Sequence, residues 1–335
     1  MALISRPLPL SVLDLVPVRI GQSLAQSLRD VARLAQGAER LGYRRYWLAE
    51  HHNAAAFASA ATAVLMGYAA GATSSIRIGA GGVMLPNHAP LMVAEQFGTL
   101  ALLYPERIDL GVGRASGADP AAGAHLARGA AQGGAAFSAM LGELVDFLAE
   151  PSPRQAVRAV PGAGLALPVW ILGASAASAA FAASRGMPFV FGGHLKAAGA
   201  AQALQTYRRE FRAAAGGAGP RALLSVNLIA ADSDAEAARL GRSRKARLRD
   251  MLLGRPRPLF APEQAGADDL GGELRGQLAA AGGIAIEGGA ATIAAQLDAL
   301  IADCQPDELL LHTEIHDFEA RLRSYAIAAR VCGHA

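Results

Sequence analysis

The run Tyr46-Trp47-Leu48-Ala49-Glu50-His51-His52-Asn53 passes from apolar side chains to a carboxylate, two imidazoles and a carboxamide. A strand that stops in such groups delivers them to one rim of a barrel or sheet, where an imidazole titrating near neutrality can move protons. The same four residues also read as an ordinary polar loop. Arg114 follows Leu110-Gly111-Val112-Gly113, where glycines let a ligand approach the backbone and a guanidinium can grip a phosphate through two hydrogen bonds. Ser175 and Ser178 open a helix, adding hydroxyls to free amides and the positive end of a helix dipole. Plainer roles exist for these residues too: Ser175 as an N-cap, Arg114 as the partner of an aspartate. Gly79, Gly81 and Gly82 interrupt a strand, which points to something flat packing closely on it.

Elements must bring these groups together, and strand-like runs alternate with Ala-rich helical runs along all 335 residues. Strands are expected at 9–16, 44–49, 76–85, 107–113, 167–172, 188–191, 223–230 and 308–312. Helices are expected at 23–41, 59–71, 90–103, 129–150, 196–215, 291–303 and 317–329. Eight strands with helices between them point to a closed (β/α)8 TIM barrel, a single domain over 1–335. The runner-up is a doubly wound open sheet, but no Gly-x-Gly-x-x-Gly turn follows the first strand to anchor a dinucleotide. Two excursions, 151–166 and 252–289, are too long for simple connections, and the second is a candidate mobile lid. In a barrel, Asp14, Glu50 to Asn53, Asn87, His88, Gly113, Arg114, Ser116, Ser175, Ser178 and Gly192-Gly193-His194 all fall at the C-terminal rim.

The hydrophobic content of 52% supports a large core. No apolar run approaches the roughly 20 residues of a membrane span, and no signal-peptide pattern is visible, so a cytoplasmic protein is expected. Cys304 and Cys332 read as reduced thiols, with neither a disulfide framework nor metal-ligand spacing. The net charge of +3 comes from scattered arginines, which argues against a nucleic-acid surface. The basic stretch 239–257 reads as a solvated helix face, or as a patch steering an anionic cofactor toward a nearby mouth.

The ordered set Trp47 to His52, Ile78 to Pro90, Ala94-Glu95-Gln96-Phe97, Arg107 to Arg114 and His316 to Tyr325 resembles the bacterial luciferase-like flavin monooxygenases over nearly the whole chain. The resemblance implies a TIM barrel, usually a homodimer, in which reduced FMN reacts with O2. One oxygen atom then passes to an organic substrate via a C4a-peroxyflavin. It places His51 as the catalytic imidazole, and Gly81 and Gly82 as a pair joined by a cis peptide beneath the flavin ring. Arg114, beside Gly113, and the hydroxyls of Ser175 and Ser178 match the phosphate cup, and His52 and Glu95 match positions near a subunit interface.

Three departures alter the expectation. Ala174 stands where luciferase has a glutamate, Gly113 where it has a reactive cysteine, and Gly192-Gly193-His194 where it has an aromatic residue after the sixth strand. Light emission from a long-chain aldehyde is therefore not expected, and the substrate pocket should differ. With no nicotinamide motif visible, the reading is a two-component system fed by a separate NAD(P)H:flavin reductase, in which Glu50 or Asp14 orients His51. The alternatives are an F420-dependent oxidoreductase of the same superfamily and a flavin-binding protein without turnover. An aldolase or isomerase barrel is more distant, since Lys196 and Lys245 are the only lysines and neither ends a strand. The substrate's contacts are expected from the loops at 115–130 and 252–289.

Overall fold

Short apolar strands cannot stay buried on both faces unless helices cover one face and the barrel lumen fills the other. The computed structural model meets that demand; it describes residues 4–115, 117, 120–126, 134–213, 218–265, 276–278 and 281–334. Its strands are β1 (Leu10–Asp14), β2 (Arg45–Leu48), β3 (Arg77–Met84), β4 (Ile108–Gly113), β5 (Val169–Gly173), β6 (Phe189–Phe191), β7 (Ala222–Ala230), β8 (Ala285–Gly288) and β9 (Glu308–His312). Each of β1 to β7 pairs in parallel with the next, β7 with β9 and β9 with β1, which closes an eight-stranded TIM barrel. The eight expected strands are those of the ring. β8 is additional: it pairs with Asn227–Ala230, where β7 outruns its neighbours, and the sequence reading had left it inside the second excursion.

Helices α1 (Leu24–Arg40), α2 (Thr62–Gly71), α3 (Pro90–Leu103), α4 (Pro120–Leu126), α5 (Gly134–Leu148), α6 (Ala176–Ser184), α7 (Ala200–Glu210), α8 (Asp234–Leu252), α9 (Ala290–Cys304) and α10 (Phe318–Val331) follow their strands. The sequence reading assigned no bounds to α8, although its start is well signalled. Ser233 caps it by accepting from the Glu236 amide, and Asp234 and Glu236 occupy the first turn. No helix among the described residues is long and apolar enough to cross a membrane.

The lumen is filled by Leu13, Trp47, Trp170, Val190, Leu223 and Leu310, with the two indoles edge to face at 5.5 Å. Beneath them lies a buried polar plug. Arg45 donates to Glu308 at 2.9 Å and also pairs with Asp109, Arg221 reaches Glu308 at 3.1 Å, and the Trp47 indole donates to Asp109 at 3.1 Å. Removing one member of such a network strands a buried charge, at a cost of about 3–5 kcal/mol.

This packing corrects part of the glycine argument. A Cβ on Gly79 would lie 2.4 Å from Trp47 Nε1, so that glycine makes room for the protein's own indole rather than for a ligand. Gly82 is required in part by strand neighbours, since its Cβ would lie 2.8 Å from the Gly111 carbonyl oxygen.

The excursions are partly pinned. Residues 151–166 fold back on α3, where Gly98 lies so close to Gly162 that a Cβ would come within 2.4 Å of its Cα. In the second, Leu259 donates to the Val18 carbonyl at 2.7 Å, and β8 holds the far end. Part of the segment read as a lid, 266–275 and 279–280, lies outside the described residues, as do Ser116 and part of the 115–130 loop.

Candidate functional site

At the C-terminal mouth of the barrel a cavity of about 540 Å³ is floored by Gly81 and Gly82 and walled by residues following five different strands. That size suits a bound cofactor or a drug-sized ligand, for which sites run about 300–1,000 Å³. The Gly81–Gly82 peptide is cis.

On one side, Arg114 leaves β4 with an exposed guanidinium that makes no ion pair among the described residues. On the same lining, Ser175 caps α6. Its Oγ accepts from the Ser178 amide at 3.2 Å and lies 3.1 Å from Ser178 Oγ, to which its own hydroxyl donates. The Ser178 hydroxyl donates to the Ser175 carbonyl at 2.7 Å, so its hydrogen is committed within the capping box. Both hydroxyls are thus engaged within the capping box, and an anion seated here would draw the Ser175 hydroxyl away from Ser178. A guanidinium with no ion pair among the described residues, beside the hydroxyls and amides of a helix start, suits a dianionic phosphate, and Gly81 and Gly82 on the lining present no side chain to a flat ring.

His51 follows β2 and lines the cavity. Its Nδ1 lies 3.4 Å from Ser59 Oγ, its ring packs on Phe57 at 4.9 Å, and Arg247 covers the Phe57 ring at 5.1 Å. Burial, reinforced by His312 and Arg247, lowers its pKa to about 4, so the imidazole is neutral at pH 7.

Glu50, buried beside it, has different partners from those expected. It accepts from His52 Nε2 and His88 Nε2, each at 2.9 Å, and from Asn87 Nδ2 and the Met84 amide, each at 3.1 Å. Burial would raise its pKa, but the bonds from His88, His52 and Met84 outweigh that and hold it below the ordinary value. The expected Glu50–His51 support is thus corrected: the carboxylate ties the β2 end to the short turn Leu85–Asn87 after β3. Asp14 does not orient His51 either, because it accepts from Arg321 at 2.8 Å, from the Tyr46 hydroxyl at 2.5 Å and from the Val16 amide at 2.8 Å.

A family model described as luciferase-like monooxygenase matches residues 9–307. The chain belongs to that family. It is 42% identical over 328 residues to YvbT of Bacillus subtilis (strain 168), covering 96% of each chain. It is 40% identical over 321 residues to a protein of Escherichia coli (strain K12) described as a luciferase-like monooxygenase, again covering 96% of each. The solved structure of apo-MsnO8 superposes with a TM-score of 0.88 at 33% identity, covering 98% of this chain and 99% of that one.

Within this luciferase-like frame the far wall of the cavity carries His194, which the sequence reading had placed at the rim, and behind it are buried His312 and Glu314, to which that reading gave no role. His194, after β6, lines the cavity, and its Nδ1 sits 2.6 Å from Ser225 Oγ on β7. Its ring meets that of His312 at 5.9 Å, and burial, reinforced by His312 and His51, lowers its pKa to about 3. His312 Nε2 is 3.1 Å from Glu314 Oε1 and its Nδ1 is 3.2 Å from the Leu13 carbonyl. Glu314 also takes a two-pronged ion pair from Arg247, one arm at 2.8 Å. Burial opposes its charge, but Arg247 and His312 hold its pKa well below the ordinary range.

The basic stretch on α8 is corrected accordingly. Arg244 and Arg247 are buried, Arg239 pairs with Glu236 and Glu263, Lys245 with Glu287, and Arg249 and Arg257 with Asp250. The solvated-face reading therefore holds for Arg239, Lys245, Arg255 and Arg257, which are exposed, while Arg244 and Arg247 turn inward. His52 and Glu95 lie where a subunit contact was expected, but His52 is already bonded to Glu50.

Proposed function

We propose that this protein is the oxygenating component of a two-component flavin-dependent monooxygenase, using reduced FMN and O2 to oxygenate a small organic substrate. The observation that carries this reading is a single cavity holding an unpaired phosphate-type cup, a glycine floor and a neutral imidazole. Arg114 and Ser175, with the α6 amides, would hold the phosphate, and Gly81 and Gly82 would lie beneath the ring. When bound, the reduced flavin supplies the electrons that activate O2.

The chain's own residues supply position and protons. With Nδ1 facing Ser59, the other nitrogen of His51 is the one available to give or take a proton at the reacting centre. Its neutral state lets it accept a proton without first losing one, and Phe57 under Arg247 fixes the ring plane. The Glu50 cluster sets where the β2 and β3 ends lie and so acts on His51 through the backbone. Leu13, Leu15 and Leu310 on the lining exclude water from the inner end.

No nicotinamide-type Gly-rich turn accompanies the barrel, which supports a separate NAD(P)H:flavin reductase as the electron source. A homodimer through α2 and α3 is supported by their exposed Val64, Tyr68, Met92, Leu102 and Leu103. Parallel turnover with chemically reduced FMN and with reduced F420, under air and under argon, tests the assignment. Oxygen consumption with FMN alone is expected. Hydride transfer with F420 and no oxygen uptake would replace the reading by the F420-dependent one, and binding without turnover would leave a flavin carrier.

A further inference from the structure

His194 presents the cavity with a hydrogen-bond acceptor whose identity the surrounding bonds decide. Ser225 Oγ is 3.1 Å from the Phe191 carbonyl, which can only accept, so the single hydroxyl hydrogen goes there. The hydroxyl must then receive the short contact from His194, which places the imidazole hydrogen on Nδ1. Nε2 keeps its lone pair. His312, the nearest ring, points its two nitrogens at Leu13 and Glu314 and has none left for His194. Among the described residues nothing donates to His194 Nε2.

The lining around it is otherwise apolar, with Leu13, Leu15, Val190, Leu195 and Leu310 on the same wall. An open acceptor in such a wall discriminates sharply. A ligand that brings an O–H or N–H completes the bond, a hydrocarbon leaves it unmade, and a carboxylate places acceptor against acceptor. Arg244 and Arg247 are buried behind this wall rather than on the lining, where the cation named is Arg114 on the cup side, so no guanidinium of the lining stands beside His194.

Resting on the monooxygenase reading of this cavity, we infer that His194 is the residue that orients the substrate, and that the substrate class is a largely apolar molecule carrying a neutral hydroxyl or N–H donor. Plain hydrocarbons and carboxylic acids are selected against. His194 acts as a fixed acceptor, with Ser225 locking its tautomer.

The test uses the full chain and three probes of one shape, naphthalene, 2-naphthol and 2-naphthoate, measured by equilibrium dialysis. Wild type should bind 2-naphthol at least about tenfold more tightly than either of the others. His194→Phe should erase that preference while retaining naphthalene, and His194→Gln, which restores a carbonyl acceptor, should recover part of it. Equal binding of the three probes by wild type, no measurable 2-naphthol binding, or a preference that survives in His194→Phe would each overturn the inference. FMN affinity measured on the same samples separates the two claims. A His194-dependent preference without FMN binding upholds the subsite and removes the flavin reading; FMN binding without the preference does the reverse.

Discussion

Acidification should destabilise this protein through two cavity imidazoles before it reaches the carboxylates. In the unfolded chain both His51 and His194 take up protons near pH 6.5, whereas burial holds the folded groups neutral down to about 4 and about 3. A folded pKa depressed in a histidine means that stability is fully present above the unfolded value and is lost as pH falls below it. At pH 5 the unfolded imidazoles are almost fully charged while the folded ones are not, which favours unfolding by about 2 kcal/mol per histidine and about 4 kcal/mol for the pair. Glu50 and Glu314, with lowered folded pKa values, contribute to acid loss only below about 4.5, outside this window. An unfolding entropy of about 2.1 cal/mol/K per residue gives about 0.7 kcal/mol/K for this chain, so the pair should lower Tm by about 6 °C. Circular-dichroism melts at pH 7.5 and 5.0 should show wild type losing about 6 °C more than His51→Gln/His194→Gln, with each single variant near the middle. Parallel losses in wild type and the double variant would show that these imidazoles are not held neutral by burial.

Arg114→Ala should weaken FMN binding by roughly 10- to 100-fold while changing riboflavin affinity by less than about twofold, read by fluorescence titration; an equal effect on both ligands would remove the phosphate contact. His51→Ala should leave FMN affinity within about threefold but lower the fraction of consumed oxygen that appears in product, since positioned acid–base groups contribute about 10²- to 10⁴-fold. Unchanged coupling would strip His51 of that role. Gly79→Ala should destabilise the fold by about 1–3 kcal/mol through collision with Trp47, without altering the FMN affinity of the folded fraction. Weakened FMN binding there would return Gly79 to the ligand site.

What could be read from the chain followed from local period and strand ends. The barrel announces itself because each ring strand is a short apolar run closed by turn residues, and the positions after β2, β4, β5 and β6 then fall at one mouth whatever the packing details. Partnerships were not legible, because they are set by contacts between segments far apart in the chain. Glu50 adjoins His51 in sequence, yet its carboxylate turns to His88, which the Leu85–Asn87 turn swings toward it. Gly79 and Gly81 look alike in the sequence, and both make room for Trp47: a Cβ on Gly81 would also lie 2.8 Å from the Leu13 side chain, but Gly81 lines the cavity as well. One signal was present and unused. Leu309-Leu310-Leu311-His312-Thr313-Glu314 repeats the apolar-to-polar switch of the β2 end, and the rim logic applied to His51 places His312 and Glu314 at the same mouth. That pair explains why the buried Arg247 of α8 is tolerated: its charge is matched from the barrel. The two sides of the mouth therefore differ, with Arg114 and the α6 start on the β4–β5 side and, on the other, an apolar wall broken by His194, behind which His312 and Glu314 are buried.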